Sequence, residues 1–306
     1  MGKIAFVFAG QGSQYPGMGK DVCAAYSAAI EVFELAERLR PGTRQQCFAG
    51  TKETLMITEN TQPCLFTVDL AVAAALEEKG VRAQGVAGFS LGEIPALTFA
   101  GAFNREEGFA LVTERAREMN RAAEAHDGCM AAVLKLDPQT VEALCAAHTN
   151  VWPVNYNSPR QIVAAGDRES MAAFVQRVKE AKGLAMPLNV SGAFHSPHMS
   201  GASAAIEEVL TELSYRKPRI DVYANANAMP YPAGEAEGKA LIAAQVKSPV
   251  LWQKTVERMV ADGFDIFVEV GPGKTLSGLI KKITSEVRIY NAETAADVEA
   301  VATALL

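Results

Sequence analysis

Short apolar runs alternate with longer helical patterns over the first 125 residues. Residues 4–9 are an unbroken apolar run, which predicts a strand buried on both faces. Residues 85–89 form a second such run, and the stretches 20–39, 61–79, 93–100 and 105–124 have helical patterns, with Thr61 as a candidate N-cap. Because strands alternate with helices, the pattern predicts a parallel sheet with helices on both faces.

The middle of the chain has a different order of elements. Strands are predicted over 129–136, 151–156, 161–165 and 185–188, and helices over 138–148 and 169–182. This β-α-β-β-α-β order is that of a ferredoxin-like unit. We therefore expect a ferredoxin-like subdomain over residues 126–190, inserted into a large α/β domain made of residues 1–125 and 191–306. Further helices are predicted over 199–213, 236–245 and 250–262, then a strand over 265–270 and a helix through residue 282.

Composition and charge narrow the class of protein. The chain has 306 residues, of which 49% are hydrophobic and 21% charged, so it is long enough for two domains and does not have a disordered composition. A net charge of −6 argues against a broad nucleic-acid surface. No stretch is long and apolar enough to span a membrane, and the N-terminal apolar run is too short for a signal peptide.

The cysteines argue for a reducing compartment. There are five of them, widely spaced and without a Cys-x-x-Cys pair: Cys23, Cys47, Cys64, Cys129 and Cys145. An odd count at such spacings favours neither a disulfide framework nor a zinc site. We therefore expect reduced thiols and a cytoplasmic protein.

The first candidate for chemistry is Ser90. It lies at the centre of the run 88–92, Gly-Phe-Ser-Leu-Gly, between a predicted strand and a predicted helix. This is the layout of a nucleophile elbow, in which a sharp strand-to-helix turn presents the serine hydroxyl. Gly-x-Ser-x-Gly also occurs in ordinary loops, so the catalytic interpretation depends on the flanking elements and on a partner base.

The candidate base is His195, one of four histidines. It lies in a loop of small residues just before a predicted helix, which suits a general base. His126 and His148 are interpreted as solvated side chains at a turn and at a helix end. His195 and His198 have no third ligand at a convincing spacing, so a metal site is not expected.

Four segments, in order along nearly the whole chain, give it a resemblance to the malonyl-CoA:acyl-carrier-protein transacylase family. They are residues 6–14 (FVFAGQGSQ), 88–93 (GFSLGE), 192–197 (GAFHSP) and 268–273 (VEVGPG). The resemblance implies a hydrolase-like parallel-sheet α/β domain with an inserted ferredoxin-like α+β subdomain.

The resemblance also implies roles for the catalytic residues. Ser90 resembles the nucleophile, and His195 resembles the base that takes its proton and returns it to the leaving thiolate. A backbone carbonyl of Gln245, rather than an aspartate, would orient the histidine. The backbone N–H groups of Gln11 and Leu91 would form the oxyanion hole. Leu91 follows the nucleophile, and Gln11 lies on a glycine-flanked loop after the first strand.

The substrate residues follow in the same way. Arg115 matches the arginine that binds the malonyl carboxylate, and Arg117 is a less favoured substitute. Phe194 resembles the malonyl-selective form of its loop, which leaves little room for an α-methyl group. Phe89 is a departure, because the family usually has histidine directly before the nucleophile. That change puts in question any hydrogen bond from this position to the acyl carboxylate or to water.

The function that the resemblance implies is ping-pong malonyl transfer from malonyl-CoA to the phosphopantetheine thiol of an acyl carrier protein. It implies no metal or redox cofactor, and a monomer. The same chemistry in a polyketide pathway, with a free-standing acyltransferase, is an open alternative. A lipase- or thioesterase-type hydrolase and a non-catalytic carrier-binding module are further alternatives, but the Arg115 match and the intact Ser90 and His195 argue against them.

Overall fold

The computed structural model describes residues 2–190 and 192–306, which form two β-sheets and the helices around them. The strands are β1 (Lys3–Phe8), β2 (Gly85–Gly88), β3 (Gly128–Leu134), β4 (Val151–Ser158), β5 (Gln161–Asp167), β6 (Leu184–Pro187), β7 (Asp221–Tyr223), β8 (Phe264–Val270) and β9 (Arg288–Ala292). The α-helices are α1 (Lys20–Ala25), α2 (Ser27–Leu39), α3 (Thr43–Ala49), α4 (Lys52–Met56), α5 (Thr58–Glu78), α6 (Glu93–Phe99), α7 (Arg105–Glu124), α8 (Pro138–Ala146), α9 (Arg168–Glu180), α10 (Ser200–Thr211), α11 (Glu235–Gln245), α12 (Trp252–Ala261), α13 (Thr275–Ile283) and α14 (Ala295–Leu305). Single 3-10 turns span Ser90–Gly92 and Pro197–Met199.

The larger sheet has five strands in the order β7-β2-β1-β8-β9, all of them parallel. Successive residues of β1 point to opposite faces. Phe6 and Phe8 belong to the core cluster that contains α5 and α6, whereas Ala5 and Val7 join Trp252 in the cluster on the other face. From Ile4 to Phe8 the strand is apolar because both of its faces are covered. The predicted parallel α/β sheet is confirmed.

The smaller sheet has four strands in the order β4-β5-β3-β6, all antiparallel. Its strands and the helices α8 and α9 follow one another along the chain in the predicted β-α-β-β-α-β order. In β3, Ala131 and Val133 pack under α8 and α9, and Met130 and Ala132 join the core of the larger sheet. The two sheets therefore share apolar contacts. The division of the chain at residues 126 and 190 stays a prediction, and its ends at Met1 and Ser191 lie outside the described residues.

Two helix predictions were wrong in their bounds. The helix predicted over 20–39 is two helices, because Tyr26 is extended (φ −126°, ψ 129°). In this conformation its hydroxyl lies 3.0 Å from the Glu299 carboxylate and 3.2 Å from the Ala295 carbonyl, both on α14. The helix predicted from Thr61 begins at Thr58 after Ile57. Thr61 is not its N-cap, since its hydroxyl donates to the Leu55 carbonyl at 2.5 Å.

The sequence patterns missed several short elements, namely α3, α4, β7, β9 and α14. β7 has only three residues, too few for a period-two pattern to stand out. It matters because it pairs with β2 and leads the chain to Asn225, beside the elbow. In the described part of the chain, no helix combines the length and hydropathy needed to cross a membrane.

Candidate active site

Ser90 lies at the tip of a strand-to-helix turn between β2 and α6. Its backbone is in the left-handed region, with φ 52°, which side chains adopt only where the surroundings hold them there. Gly88 and Gly92 flank it because the turn leaves no room for a Cβ at either position. A Cβ on Gly88 would overlap the backbone of Gly92, and one on Gly92 would overlap the Phe8 carbonyl oxygen. The serine is therefore held by the geometry expected of a nucleophile elbow.

His195 completes a hydrogen-bonded pair with Ser90, 105 residues away in the chain. Its Nε2 lies 2.6 Å from the Ser90 Oγ. Its Nδ1 lies 3.1 Å from two backbone carbonyl oxygens, those of Gln245 and Ser248. Carbonyl oxygens only accept, so Nδ1 carries the hydrogen and Nε2 is free to accept the serine proton. The sequence did not predict the second carbonyl, that of Ser248.

The electrostatic surroundings keep His195 neutral. Burial, with the nearby positive charge of Arg115, lowers the pKa of His195 to about 4, although the two carbonyls oppose this shift. The histidine is therefore a proton acceptor at neutral pH. Without an anion beside Arg115, the imidazolium is poorly stabilised. A ligand that brings a negative charge to Arg115 favours the protonated histidine.

Arg115 projects from α7 into the same site and is 1% exposed. Its Nη2 lies 3.2 Å from the Ser90 Oγ and 2.9 Å from the Gln245 Oε1, and its Nη1 donates to the Gln62 Oε1 at 2.7 Å. Its Nε is buried without a partner among the described residues. Burial lowers the pKa of Arg115 to about 10, so it stays charged at pH 7. Donors remain for a carboxylate next to Ser90.

Arg117 points away from the site, with its side chain 61% exposed and paired with Glu114 and Glu118.

Gln62, which accepts a hydrogen bond from Arg115, was not predicted from the sequence. The available signal was a glutamine that precedes proline in a mostly apolar stretch of helix, of which the structure buries nearly every residue.

The predicted oxyanion-hole residues lie on both sides of the serine. Leu91 is the second residue of the 3-10 turn, where N–H groups lack partners within the helix. Gln11 follows β1, and its N–H makes no hydrogen bond with the rest of residues 2–190 and 192–306. Gly10 brings this loop against the elbow, because a Cβ there would lie 2.6 Å from the Phe89 carbonyl oxygen.

A small cavity of about 90 Å³ opens onto Ser90 and His195. Phe89 and Phe194 line it, together with Gln11, Met119, Met130, Asn155, Leu188 and Val190. A neighbouring cavity of about 220 Å³ shares Gln11, Phe89, Asn155 and Leu188 with it. Phe89 packs edge-to-face on Trp252, with ring centroids 5.6 Å apart. The Phe89 ring therefore lines both cavities and is held in place by Trp252.

The remaining histidines lie apart from Ser90. His198 stacks on His126, with ring centroids 4.4 Å apart, and its Nε2 is 3.3 Å from an Asp167 oxygen. His126 is exposed, as predicted, but it has this stacking partner. Within the described residues, no three or more histidine, cysteine or carboxylate side chains converge as metal ligands do.

Known proteins resemble this chain over almost its whole length. The model of the acyl transferase domain matches residues 5–303. A malonyl CoA-acyl carrier protein transacylase of Bacillus subtilis (strain 168) is 37% identical over 94% of this chain and 92% of its own. The crystal structure of such a transacylase from Clostridium perfringens superposes with a TM-score of 0.95 at 36% identity, covering 99% and 97% of the two chains. A malonyl-transacylase in complex with a type II PKS acyl-carrier protein has a TM-score of 0.94 at 29% identity, covering 99% of each chain.

Proposed function

The chain belongs to the acyl transferase family, and from this premise we propose that it is an [acyl-carrier-protein] S-malonyltransferase. It moves the malonyl group from malonyl-CoA to the phosphopantetheine thiol of an acyl carrier protein. The observation that carries the proposal is the contact of three groups: the Ser90 hydroxyl, the neutral His195 ring and the buried Arg115 guanidinium.

In the first half-reaction, the Ser90 Oγ attacks the thioester carbonyl carbon of malonyl-CoA. The His195 Nε2, 2.6 Å away, takes the hydroxyl proton as the C–O bond forms. Negative charge develops on the carbonyl oxygen, where the N–H groups of Gln11 and Leu91 stabilise it. One such donor is typically worth about 10²- to 10³-fold in rate. The C–S bond then breaks, and the imidazolium returns its proton to the CoA thiolate.

In the second half-reaction, the same groups act in reverse order. The carrier thiol gives its proton to His195 and attacks the malonyl ester of Ser90. The Ser90 oxygen leaves and recovers the proton from His195. No metal or redox step takes part in this sequence.

Selectivity for malonyl over acetyl groups rests on Arg115. Its guanidinium adjoins the Ser90 hydroxyl and is buried, so a carboxylate there forms charge-assisted hydrogen bonds in a poorly hydrated setting. An acetyl group leaves those donors unpaired, which is costly for a buried group. The malonyl carboxylate also offsets the charge that lowers the pKa of His195. The substrate thereby helps to stabilise the imidazolium on which its own transfer depends.

We also propose that residues 126–190 form a subdomain that covers the nucleophile. Met130, Asn155 and Leu188 from this segment line the cavity opposite Ser90 and Gln11. An acyl-enzyme enclosed in this way is shielded from bulk water, which favours transfer over hydrolysis. We assign the protein to the cytoplasm, where its proposed thioester substrates are found.

A carrier protein of a polyketide pathway is the second candidate acceptor. The structural relative in complex with a type II PKS acyl-carrier protein supports it. The chemistry at Ser90 is the same for either acceptor, so only the partner differs.

The test is transfer in the presence of an acceptor. We expect the protein, mixed with malonyl-CoA and a holo acyl carrier protein, to produce malonyl-carrier, detected by mass spectrometry. Ser90→Ala is the control and is expected to produce none. Release of free malonate at the same rate with and without carrier would instead identify a hydrolase.

A further inference from the structure

We propose that Asn225 and Glu93 are positioning residues that hold the Ser90 backbone in its reactive conformation. The inference rests on the proposed function, because it assumes that Ser90 is the residue acylated. It goes further by assigning a task to two buried side chains that take no part in the steps above.

Side chains from outside the elbow bind both backbone polar groups of Ser90. The Ser90 N–H donates to the Asn225 Oδ1 at 2.7 Å, and the Ser90 carbonyl accepts from the Gln245 Nε2 at 2.7 Å. The Asn225 Nδ2 donates to the Gly88 carbonyl at 2.6 Å. One amide group therefore joins the two sides of the turn. A left-handed backbone costs roughly 1–2 kcal/mol for an L-residue, so the turn needs contacts of this kind.

Glu93 holds Asn225 in turn. It is the first residue of α6, is 1% exposed, and accepts from two donors. Its Oε2 accepts from the Asn225 N–H at 2.6 Å, and its Oε1 accepts from the Tyr231 hydroxyl at 2.5 Å. The Asn225 carbonyl is also occupied, because it accepts from the Leu251 N–H at 2.9 Å. The carboxylate thus fixes the segment after β7 against the helix that follows the nucleophile.

The charge of Glu93 links this network to the substrate side of the site. Arg115 on α7 is the cation whose charge acts on Glu93. The other titratable groups of the network are Tyr231, on the segment after β7, and Tyr215, which acts on Tyr231. Burial raises the pKa of Glu93 to about 7, while its donors and Arg115 oppose the shift. The pKa of His195 is about 4, so the histidine titrates well below this range.

Protonation of Glu93 weakens the network. A protonated carboxyl group presents a hydroxyl to one of its two donors, Asn225 N–H or Tyr231 O–H, so one of these contacts loses its acceptor or must rearrange. The Asn225 amide then holds Ser90 less firmly. We therefore expect acylation of Ser90 to slow as the pH falls below about 7, on account of Glu93 rather than the base.

The first experiment is rapid-quench intact mass spectrometry of acylation by saturating malonyl-CoA. We expect Asn225→Ala to slow adduct formation by about 10- to 100-fold, because displacement of a reacting group by about 1 Å has an effect of that order. The dissociation constant for malonyl-CoA should stay unchanged, which separates positioning from binding. The control is Asn227→Ala, which replaces an exposed asparagine of the same segment; among residues 2–190 and 192–306, its side chain binds only the Met229 N–H. It should react like the wild type.

The second experiment follows the acylation rate against pH. In the wild type, the acylation rate should fall as the pH drops below about 7; this fall is called the limb near pH 7. Glu93→Gln should lack this limb, and Tyr231→Phe should move it to higher pH. The direction follows because the Tyr231 hydroxyl lowers the pKa of Glu93. Tyr231→Phe removes a single hydroxyl, so it tests the network even if Asn225→Ala does not fold.

The outcomes separate the two proposals. If the wild type forms no malonyl adduct, the proposed function fails. If it forms the adduct, but Asn225→Ala reacts at the wild-type rate or Glu93→Gln keeps the limb near pH 7, the positioning role of these residues is wrong.

Discussion

Replacement of Arg115 by alanine tests the basis of malonyl selectivity. The guanidinium has five N–H donors. In the free protein it makes three hydrogen bonds, to Gln62, Gln245 and Ser90. The buried Nε has no partner among the described residues, and Nη2 contacts the Ser90 hydroxyl. We propose that the malonyl carboxylate binds these two N–H groups and takes the place of the Ser90 contact. Arg115→Ala removes both of the hydrogen bonds that we propose for the malonyl carboxylate.

The expected size of the effect follows from those two hydrogen bonds. A hydrogen bond to a charged group is worth about 1.5–3 kcal/mol, so two are worth about 3–6 kcal/mol. At about 1.4 kcal/mol per factor of ten, this corresponds to a roughly 10²- to 10⁴-fold loss in the efficiency of malonyl acylation. Acetyl-CoA has no carboxylate, so its acylation should change little. The ratio of malonyl to acetyl adduct should therefore fall by at least about 100-fold.

The assay is acyl-enzyme formation from malonyl-CoA and acetyl-CoA in parallel, followed by intact mass. Arg117→Ala is the matched control, since it removes an arginine from the same helix whose side chain is 61% exposed and pairs with Glu114 and Glu118. It should keep the wild-type ratio. An unchanged ratio in Arg115→Ala, or an equal loss in Arg117→Ala, would refute the assignment.

Three further predictions concern Gln62, Phe194 and His195. Gln62→Ala should reduce the malonyl-to-acetyl adduct ratio by about tenfold or more, because Arg115 loses one side-chain partner and a hydrogen bond to a charged group is worth about 1.5–3 kcal/mol. Phe194→Ala should raise the methylmalonyl-to-malonyl adduct ratio by about tenfold or more, since space for one methyl group is worth about 1–3 kcal/mol; an unchanged ratio would exclude Phe194 as the limit on acyl size. The pKa of His195 is lower in the folded protein than its ordinary value of 6.5, so its contribution to stability is full above pH 6.5 and is lost as the pH falls towards 4. The melting temperature should therefore fall less over that range in His195→Gln than in the wild type, and equal slopes would contradict the shift.

The sequence predicts the parts of this protein that local patterns encode. The apolar run of β1 and the Gly-x-Ser-x-Gly turn at Ser90 are local signals, and the structure has a strand and an elbow at these positions. The break at Tyr26 accompanies a long-range contact with Glu299, and the start of α5 accompanies a side-chain hydrogen bond from Thr61 to the Leu55 carbonyl. Periodicity carries neither signal, so it places both helix ends wrongly.

The supporting residues of the site lie beyond the reach of local patterns. Asn225 binds Ser90 from 135 residues away, and Gln62 binds Arg115 across 53 residues. Neither belongs to a motif, and β7, which leads to Asn225, is too short for a pattern. Only the folded chain brings Asn225 to Ser90 and Gln62 to Arg115.

The central claim is that Ser90 carries the malonyl group during transfer. The most direct test is intact mass and peptide mapping after the protein is mixed with malonyl-CoA and no acceptor. We predict an added malonyl mass on the peptide that contains Ser90, absent in Ser90→Ala and removed when a holo acyl carrier protein is added. An unmodified protein that still transfers malonyl to the carrier, or an adduct on any other residue, would contradict the account.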